Sequence, residues 1–203
     1  AYDFMGRSTT YKKFVEQINL CARALKAIGI REGDKITICM PNCPQTVIMF
    51  YAVNLVGGIA NMVHPLSSEK EIEFYLKESG SICALTLDQF YHKFEAVRQH
   101  VDSLNNVIIA SIKDELSKPI KVGYMLTEGR KIQKIPADAP IIRWKEFFQM
   151  GNRFARYAEN GDKEEGHLHT HHVVAYDLAA VCDAVKHRFF DADVSFLFHH
   201  FVI

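Results

Sequence analysis

Four short runs of apolar and β-branched residues recur along the first half of the chain at nearly constant spacing. They begin 23 to 25 residues apart, and each is typical of a buried β-strand. A segment with helical periodicity lies between each pair. Strands and helices that alternate in this way form right-handed βαβ units, so the pattern predicts an α/β fold, a mostly parallel sheet with helices on both faces. The predicted strands are Lys35–Met40, Ile59–Val63, Ile82–Thr86 and Val107–Ala110.

Local signals set the expected bounds of the first two helices. Thr10 is a candidate N-cap for a helix that ends at Gly29. Pro44 suits the first turn of the second helix, because its missing N–H would have no partner there. We expect this second helix to stop at Gly57-Gly58.

The next two helices are expected from similar signals. Ser68 and Glu71 have the spacing of a capping box, and the helix that they open should end at Gly80. Asp88 is the expected cap of a fourth helix. We expect the apolar faces of these two helices to contain Ile72, Tyr75 and Leu76 in the first, and Phe90, Phe94, Val97 and Val101 in the second.

The regular alternation ends after Ser111. Residues 113–140 contain six Lys or Arg, three Pro and two Gly, and the glycines and prolines predict short helical pieces and connecting loops. Trp144, Phe147 and Phe148 follow at helical spacing, which predicts a face that docks on the core. The composition changes again beyond Gly151. We therefore expect an N-terminal α/β subdomain over residues 1–150 and a His-rich tail over residues 151–203, the tail being either unrelated sequence or a rearranged continuation of the same domain.

Composition excludes several classes of protein. Lys and Arg number 24, as do Asp and Glu, so no overall charge favours binding to nucleic acid. No apolar run reaches the roughly 20 residues of a membrane-spanning helix, and no signal peptide is apparent. We therefore expect a cytoplasmic location.

The cysteines fit a reducing compartment better than a disulfide framework. Their number is odd, and most lie among apolar neighbours. Cys39 and Cys43 are four residues apart, but no second pair completes the pattern of a zinc site. The five are Cys21, Cys39, Cys43, Cys83 and Cys182.

An ordered set of short motifs resembles the N-terminal part of the adenylate-forming superfamily, which includes acyl-CoA synthetases, luciferases and adenylation domains of peptide synthetases. The resemblance covers residues 3–150. Met40-Pro-Asn42 and Ala60-Asn-Met-Val-His-Pro65 are most similar to the fatty acyl-CoA synthetase branch. The other motifs are Thr10-Tyr-Lys-Lys-Phe14, Ala24-Leu25, Gly29-Ile30, Gly33-Asp34-Lys35, Gly57-Gly58 and Glu71-Ile72.

The resemblance implies a two-step reaction. In such enzymes a carboxylate attacks the α-phosphate of ATP, with Mg²⁺ bound, to give an acyl-adenylate and pyrophosphate; the thiol of CoA then displaces AMP. The implied partners are a small-molecule carboxylic acid, ATP and CoA. The family uses a glycine-rich phosphate loop and a C-terminal lysine domain for this chemistry, and neither can be mapped onto this sequence. We therefore expect the chain alone to be inactive, with ATP-binding and catalytic residues unknown.

Few residues of this sequence are candidates for a catalytic or binding role. Gly57-Gly58 lacks the flanking hydroxyl groups and the following Lys of a phosphate loop, so we interpret it as a helix end. Glu71 and Asp34 are interpreted as cap and turn residues. His64 follows a predicted strand, at the end where α/β sheets bind ligands, and is a candidate for substrate binding with a structural role as the alternative.

The tail contains a second pattern. His167-Leu-His169-Thr-His171-His172 is similar to the His-x-His-x-Asp-His motif of metallo-β-lactamase-like hydrolases, but His171 stands where that motif has Asp. Residues 171–201 also have a loose similarity to the segment that follows the phosphate loop of adenylation domains.

Three hypotheses follow from the sequence. The first is a fragment of an acyl-CoA synthetase. The second is a non-catalytic acyl-binding or assembly module built on the same sheet. The third is a His-rich metal-dependent hydrolase. A partial sheet would also expose a strand edge, so self-association is expected.

Overall fold

A computed structural model describes residues 2–127, 129, 132 and 134–161 of the chain. The strands are β1 (Tyr2–Phe4), β2 (Arg7–Thr9), β3 (Lys35–Cys39), β4 (Ile59–Val63), β5 (Cys83–Leu87), β6 (Asn106–Ala110) and β7 (Ile142–Arg143). The α-helices are α1 (Tyr11–Ala27), α2 (Pro44–Leu55), α3 (Glu69–Ser79), α4 (Tyr91–Arg98), α5 (Lys118–Leu126) and α6 (Trp144–Gly161).

A five-stranded parallel sheet organises the chain. Its strand order is β4-β3-β5-β6-β7, and every neighbouring pair is parallel. The register places Ile36 beside Cys83 and Leu85 beside Ile108. Strands β1 and β2 form a separate antiparallel hairpin before α1. The predicted α/β fold with a mostly parallel sheet is therefore confirmed.

Side chains of the central strands alternate between two apolar layers, as the period of two in a strand requires. On one face, Ile36 and Ile38 pack with residues of α1, α2 and α6, such as Leu25 and Met49. On the other face, Cys39 belongs to a cluster built mainly from α3 and α4. Both faces of the sheet are thus covered by helices, which explains why its strands are apolar throughout.

Most of the predicted local signals are confirmed. The Thr10 hydroxyl accepts a hydrogen bond from the Lys13 N–H at 3.3 Å, and Pro44 occupies the first turn of α2. Ser68 and Glu71 form both halves of the capping box. Gly80 ends α3 in the left-handed conformation with φ of 61°, where only glycine is free of a Cβ penalty.

Two expectations about helix faces are wrong. Tyr75 is 42% exposed, because Ile72 and Leu76, four residues apart, define the buried side of α3 and Tyr75 is rotated about 100° from Leu76. Asp88 opens a short 3₁₀ helix, and α4 begins only at Tyr91. That helix ends at Arg98, so the buried Val101 lies beyond it.

The aromatic stripe at the start of α6 docks on the core as predicted. Phe147 is fully buried, Trp144 is nearly so, and the Trp144 and Phe148 rings lie 4.8 Å apart. One helical turn later, Gly151 lies directly against the backbone of α1. Helix α6 therefore covers the same face of the sheet as α1 and α2.

Candidate functional site at the carboxyl edge of the sheet

The carboxyl ends of β3 and β5 lie side by side where the strand order reverses. The chain crosses from β3 to β4 on one side and then returns to β5 on the other side of β3. Open α/β sheets bind ligands in the crevice that such a reversal creates at the carboxyl edge. We therefore define the carboxyl-edge site by the segments that follow β3, β5 and β6, residues 40–45, 88–90 and 111–115.

Hydrogen bonds from buried side chains connect these segments. The Nε2 amide of Gln45, in the first turn of α2, donates to the backbone carbonyl of Ser111 at 3.1 Å. The hydroxyl of Thr86 in β5 donates to the carbonyl of Cys39 at the end of β3, also at 3.1 Å. The start of α2 is thus attached to the end of β6, and the ends of β3 and β5 are attached to each other.

Two polar atoms of the carboxyl-edge site are buried without a partner among the described residues: Gln45 Oε1 and Ser111 Oγ. An unsatisfied buried polar group costs about 1–3 kcal/mol. Both atoms can accept a hydrogen bond, and the Ser111 hydroxyl can also donate one. A bound water molecule or hydroxyl group would satisfy either atom.

A buried carboxyl group lies in the segment that follows β6. Glu115 is only 8% exposed, and one of its oxygens is 3.4 Å from a guanidinium nitrogen of Arg7. The same guanidinium donates to the carbonyl of Asp114 at 3.5 Å, which ties the β1–β2 hairpin to the segment after β6. Burial raises the pKa of the Glu115 carboxyl, and the nearby Arg7 opposes this only in part.

We expect the stability of the Glu115→Gln variant to depend less on pH than that of the wild type. The pKa of Glu115 is higher in the folded chain than the value near 4.3 of an unfolded one. The group's contribution to stability is therefore fully present below about pH 4 and is lost as pH rises through the folded-state pKa. Between pH 4 and pH 7, the melting temperature of the variant should rise relative to that of the wild type.

Circular dichroism melts at both pH values test this. Glu78→Gln removes the same charge from an exposed position and serves as the control. A melting temperature of Glu115→Gln that instead falls relative to wild type at pH 7 would mean that pairing with Arg7 outweighs the burial of the carboxylate.

The two cysteines near this edge are unsuited to zinc. The Cys39 thiol donates to the carbonyl of His64 at 3.6 Å, and the Cys43 sulfur lies 3.2 Å from the Thr46 hydroxyl. Burial raises the pKa of Cys39 to about 11, and burial also raises the pKa of Cys43. Zinc binds the thiolate, which these environments disfavour. Cys21, Cys39, Cys43 and Cys83 are free thiols; Cys182 lies outside the described residues.

His64 lies at the carboxyl end of β4, as predicted, but β4 is an edge strand and the His64 side chain is exposed. Its Nδ1 accepts a hydrogen bond from the Leu66 N–H at 3.3 Å. The structure does not bring it together with Gln45 or Ser111 in any described contact. A role of His64 in substrate binding stays a prediction.

The glycine pair lies at the opposite, amino edge of the sheet. Gly57 has φ of 78° and its carbonyl accepts from the Gly33 N–H at 2.9 Å. A Cβ on Gly58 would approach the Asp34 carbonyl to 3.1 Å. The pair therefore lies at the end of α2, as interpreted from the sequence, and directly precedes β4. The Asp34 side chain accepts from the Arg31 N–H at 2.7 Å, which confirms it as a turn residue.

Within the part of the chain that the structure describes, no group of three or more His, Cys, Asp or Glu side chains is placed to hold a metal ion. We therefore assign none of the described residues to Mg²⁺. The His167–His172 string and the similarity of residues 171–201 lie outside the described residues, as does most of the predicted tail.

Sequence reasoning located the carboxyl edge but missed the residues that give it polar character. Gln45 lies in a mostly apolar helical segment, and a polar side chain there was the available signal for a buried hydrogen bond. Ser111 directly follows the last predicted strand. Arg7 and Glu115 gave no signal, because they are 108 positions apart.

Comparison with known proteins identifies the family of this chain. Residues 1–142 match the AMP-binding enzyme family. The chain belongs to that family, and its five-stranded parallel sheet is part of the adenylate-forming fold.

The similar proteins include CoA ligases. The chain is 33% identical over 133 residues to a long-chain-fatty-acid–CoA ligase of Bacillus subtilis, covering 65% of this chain and 23% of the relative. It is 30% identical over 135 residues to a ligase of the same name from Haemophilus influenzae, covering 65% of this chain and 24% of the relative. The chain thus spans about a quarter of the length of these curated relatives.

A solved structure supports the fold independently. An anthranilate CoA ligase in complex with anthranoyl-AMP superposes with a TM-score of 0.50 at 21% sequence identity, covering 51% of this chain and 20% of that one. At this identity the likeness shows a shared fold alone.

Proposed function

We propose that the chain is the N-terminal α/β portion of an AMP-forming ligase that activates long-chain fatty acids. The observation that carries this proposal is the continuous match of residues 1–142 to the AMP-binding enzyme family. The 33% identity to a long-chain-fatty-acid–CoA ligase supports the substrate class. The proposed location is the cytoplasm.

The proposed reaction has two steps. The fatty acid carboxylate attacks the α-phosphate of ATP, forming an acyl-adenylate and releasing pyrophosphate. The sulfur of CoA then attacks the acyl carbonyl, forming the thioester and releasing AMP, while the thiol proton passes to a base. Bound Mg²⁺ would neutralise the phosphate charge in the first step.

The described residues contribute a scaffold to this reaction. Burial on both faces makes the parallel sheet a rigid support, and the hydrogen bond between Gln45 and Ser111 fixes the polar carboxyl edge. Groups held on such a support lose little freedom when a substrate binds. We propose that the catalytic groups come from the remaining length that the relatives possess, and that the 203-residue chain alone does not activate acids.

An exchange assay tests both parts of the proposal. The purified chain, incubated with palmitate, ATP, Mg²⁺ and labelled pyrophosphate, should give no acid-dependent label in ATP, whereas the Bacillus subtilis ligase should. A chimera of that ligase carrying residues 1–142 of this chain should recover exchange with palmitate. Acid-dependent exchange by the chain alone would overturn its inactivity. A folded chimera that binds palmitate without nucleotide, but never exchanges, would favour the acyl-binding module instead.

A further inference from the structure

Helix α5 (Lys118–Leu126) differs from the other α-helices of the described part of the chain, because none of its residues is buried. Val122, Met125 and Leu126 are 60%, 53% and 57% exposed. Their spacing of three and four residues puts these three side chains on one side of the helix. The outer side of α5 is therefore apolar and faces solvent.

Nothing within α5 makes this exposed helix strong by itself. A helix of nine residues is marginal in water, because its few hydrogen bonds barely offset the cost of nucleation. Gly123 lies at its centre and weakens it further. A surface that buries the side chains of Val122, Met125 and Leu126 would stabilise the helix.

The charge around α5 indicates the kind of surface. Residues 113–134 contain six Lys or Arg and three Asp or Glu, a net charge of +3 in a chain of zero net charge. Two of the acidic groups and one of the cations have partners outside this segment: Glu115 lies 3.4 Å from Arg7, Asp114 lies 3.0 Å from Lys145, and Lys113 lies 4.0 Å from Asp88. Lys118 and Lys121 are on α5 itself, within one turn of its apolar side.

We propose that α5 docks on the surface of an anionic phospholipid bilayer. Val122, Met125 and Leu126 enter the boundary between headgroups and acyl chains, while the long stems of Lys118 and Lys121 carry their ammonium groups back to the phosphates. A second copy of the chain fits this side less well, because two surfaces with net positive charge repel each other. A neutral bilayer offers the apolar layer without the attraction to the lysines.

The proposed contact lies on the surface of the bilayer. No helix in the described ranges has the length and apolarity needed to cross a membrane. One short helix and a few lysines give reversible binding that high salt weakens. This inference is independent of the proposed ligase activity, because lipid binding is measured without substrate turnover.

Co-sedimentation of the full 203-residue chain with vesicles tests the proposal. The chain should bind vesicles of phosphatidylcholine and phosphatidylglycerol more tightly than vesicles of phosphatidylcholine alone, and 0.5 M salt should release it. Lys118→Gln with Lys121→Gln should weaken binding about thirtyfold, because each lysine near an anionic surface contributes a factor of about five. Val122→Gln with Met125→Gln should weaken it at least about tenfold.

Matched variants on other helices are the controls. Phe74→Gln removes a side chain that is 57% exposed on α3, and Lys12→Gln with Lys70→Gln removes two exposed lysines from α1 and α3. These variants should bind vesicles like the wild type. Equal losses in both sets, or no binding to anionic vesicles, would overturn the proposal. Light scattering that shows a dimer dissociated by Val122→Gln with Met125→Gln would overturn it in favour of self-association.

Discussion

Gly151→Ala is expected to lower the free energy of unfolding by about 2–3 kcal/mol. An ideal Cβ at this position would lie 2.5 Å from the backbone carbonyl oxygen of Leu20 and 3.1 Å from the backbone nitrogen of Ala24. Both atoms belong to the backbone of α1, so no side-chain rotation can relieve the overlap. The two helices must separate, and the packing of Trp144 and Phe147 beneath them loosens.

Urea unfolding followed by circular dichroism measures this loss, and Gly123→Ala is the matched control. Gly123 is also inside a helix, but its added Cβ would meet nothing within 4 Å. The same change there should leave stability unchanged or raise it by up to about 1 kcal/mol, because alanine favours helix over glycine. A Gly151→Ala variant within about 0.5 kcal/mol of wild type would show that α1 and α6 are not held at this distance.

The parts of the fold that could be predicted depend on neighbours in the sequence. The capping box of Ser68 and Glu71 spans three residues, and the left-handed Gly80 ends the same helix. The repeat of strands and helices requires only that each unit bury its own apolar residues, so the parallel sheet followed from spacing alone. Errors arose where a local signal was ambiguous. Tyr75 satisfies helical periodicity as well as Leu76, and only the packed neighbours decide which is buried.

The polar groups of the carboxyl-edge site could not be predicted in the same way. Gln45 and Ser111 are 66 positions apart, and Arg7 and Glu115 are 108 apart. Such pairs form because a parallel sheet brings the ends of all its strands to one edge, whatever their separation along the chain. Sequence reasoning reached the edge through His64. His64 follows β4, which lies at the border of the sheet. Local spacing does not determine the order of strands within the sheet, so this position could not be foreseen.

The apolar layer on the face of α3 and α4 depends on large buried side chains for its stability. Among the described residues, this layer is built on α3 and α4, whereas the opposite layer is built on α1, α2 and α6. Phe94 of α4 is 1% exposed and is among the largest fully buried side chains of the described residues. Phe94→Ala should therefore lower the free energy of unfolding by about 3–5 kcal/mol, the cost of lost burial and of the cavity left behind.

Phe74→Ala provides the comparison within the same layer of helices, because Phe74 of α3 is 57% exposed. Its replacement should change the free energy of unfolding by no more than about 0.5 kcal/mol. Urea unfolding of both variants and the wild type gives the difference, with the slope of the transition as a check that unfolding stays cooperative. Equal losses for Phe94→Ala and Phe74→Ala would contradict the assignment of the buried side of these helices. Such a result would mean that α3 and α4 turn different faces to the sheet, and Val63 and Val107 would then lack the cover that now keeps them from solvent.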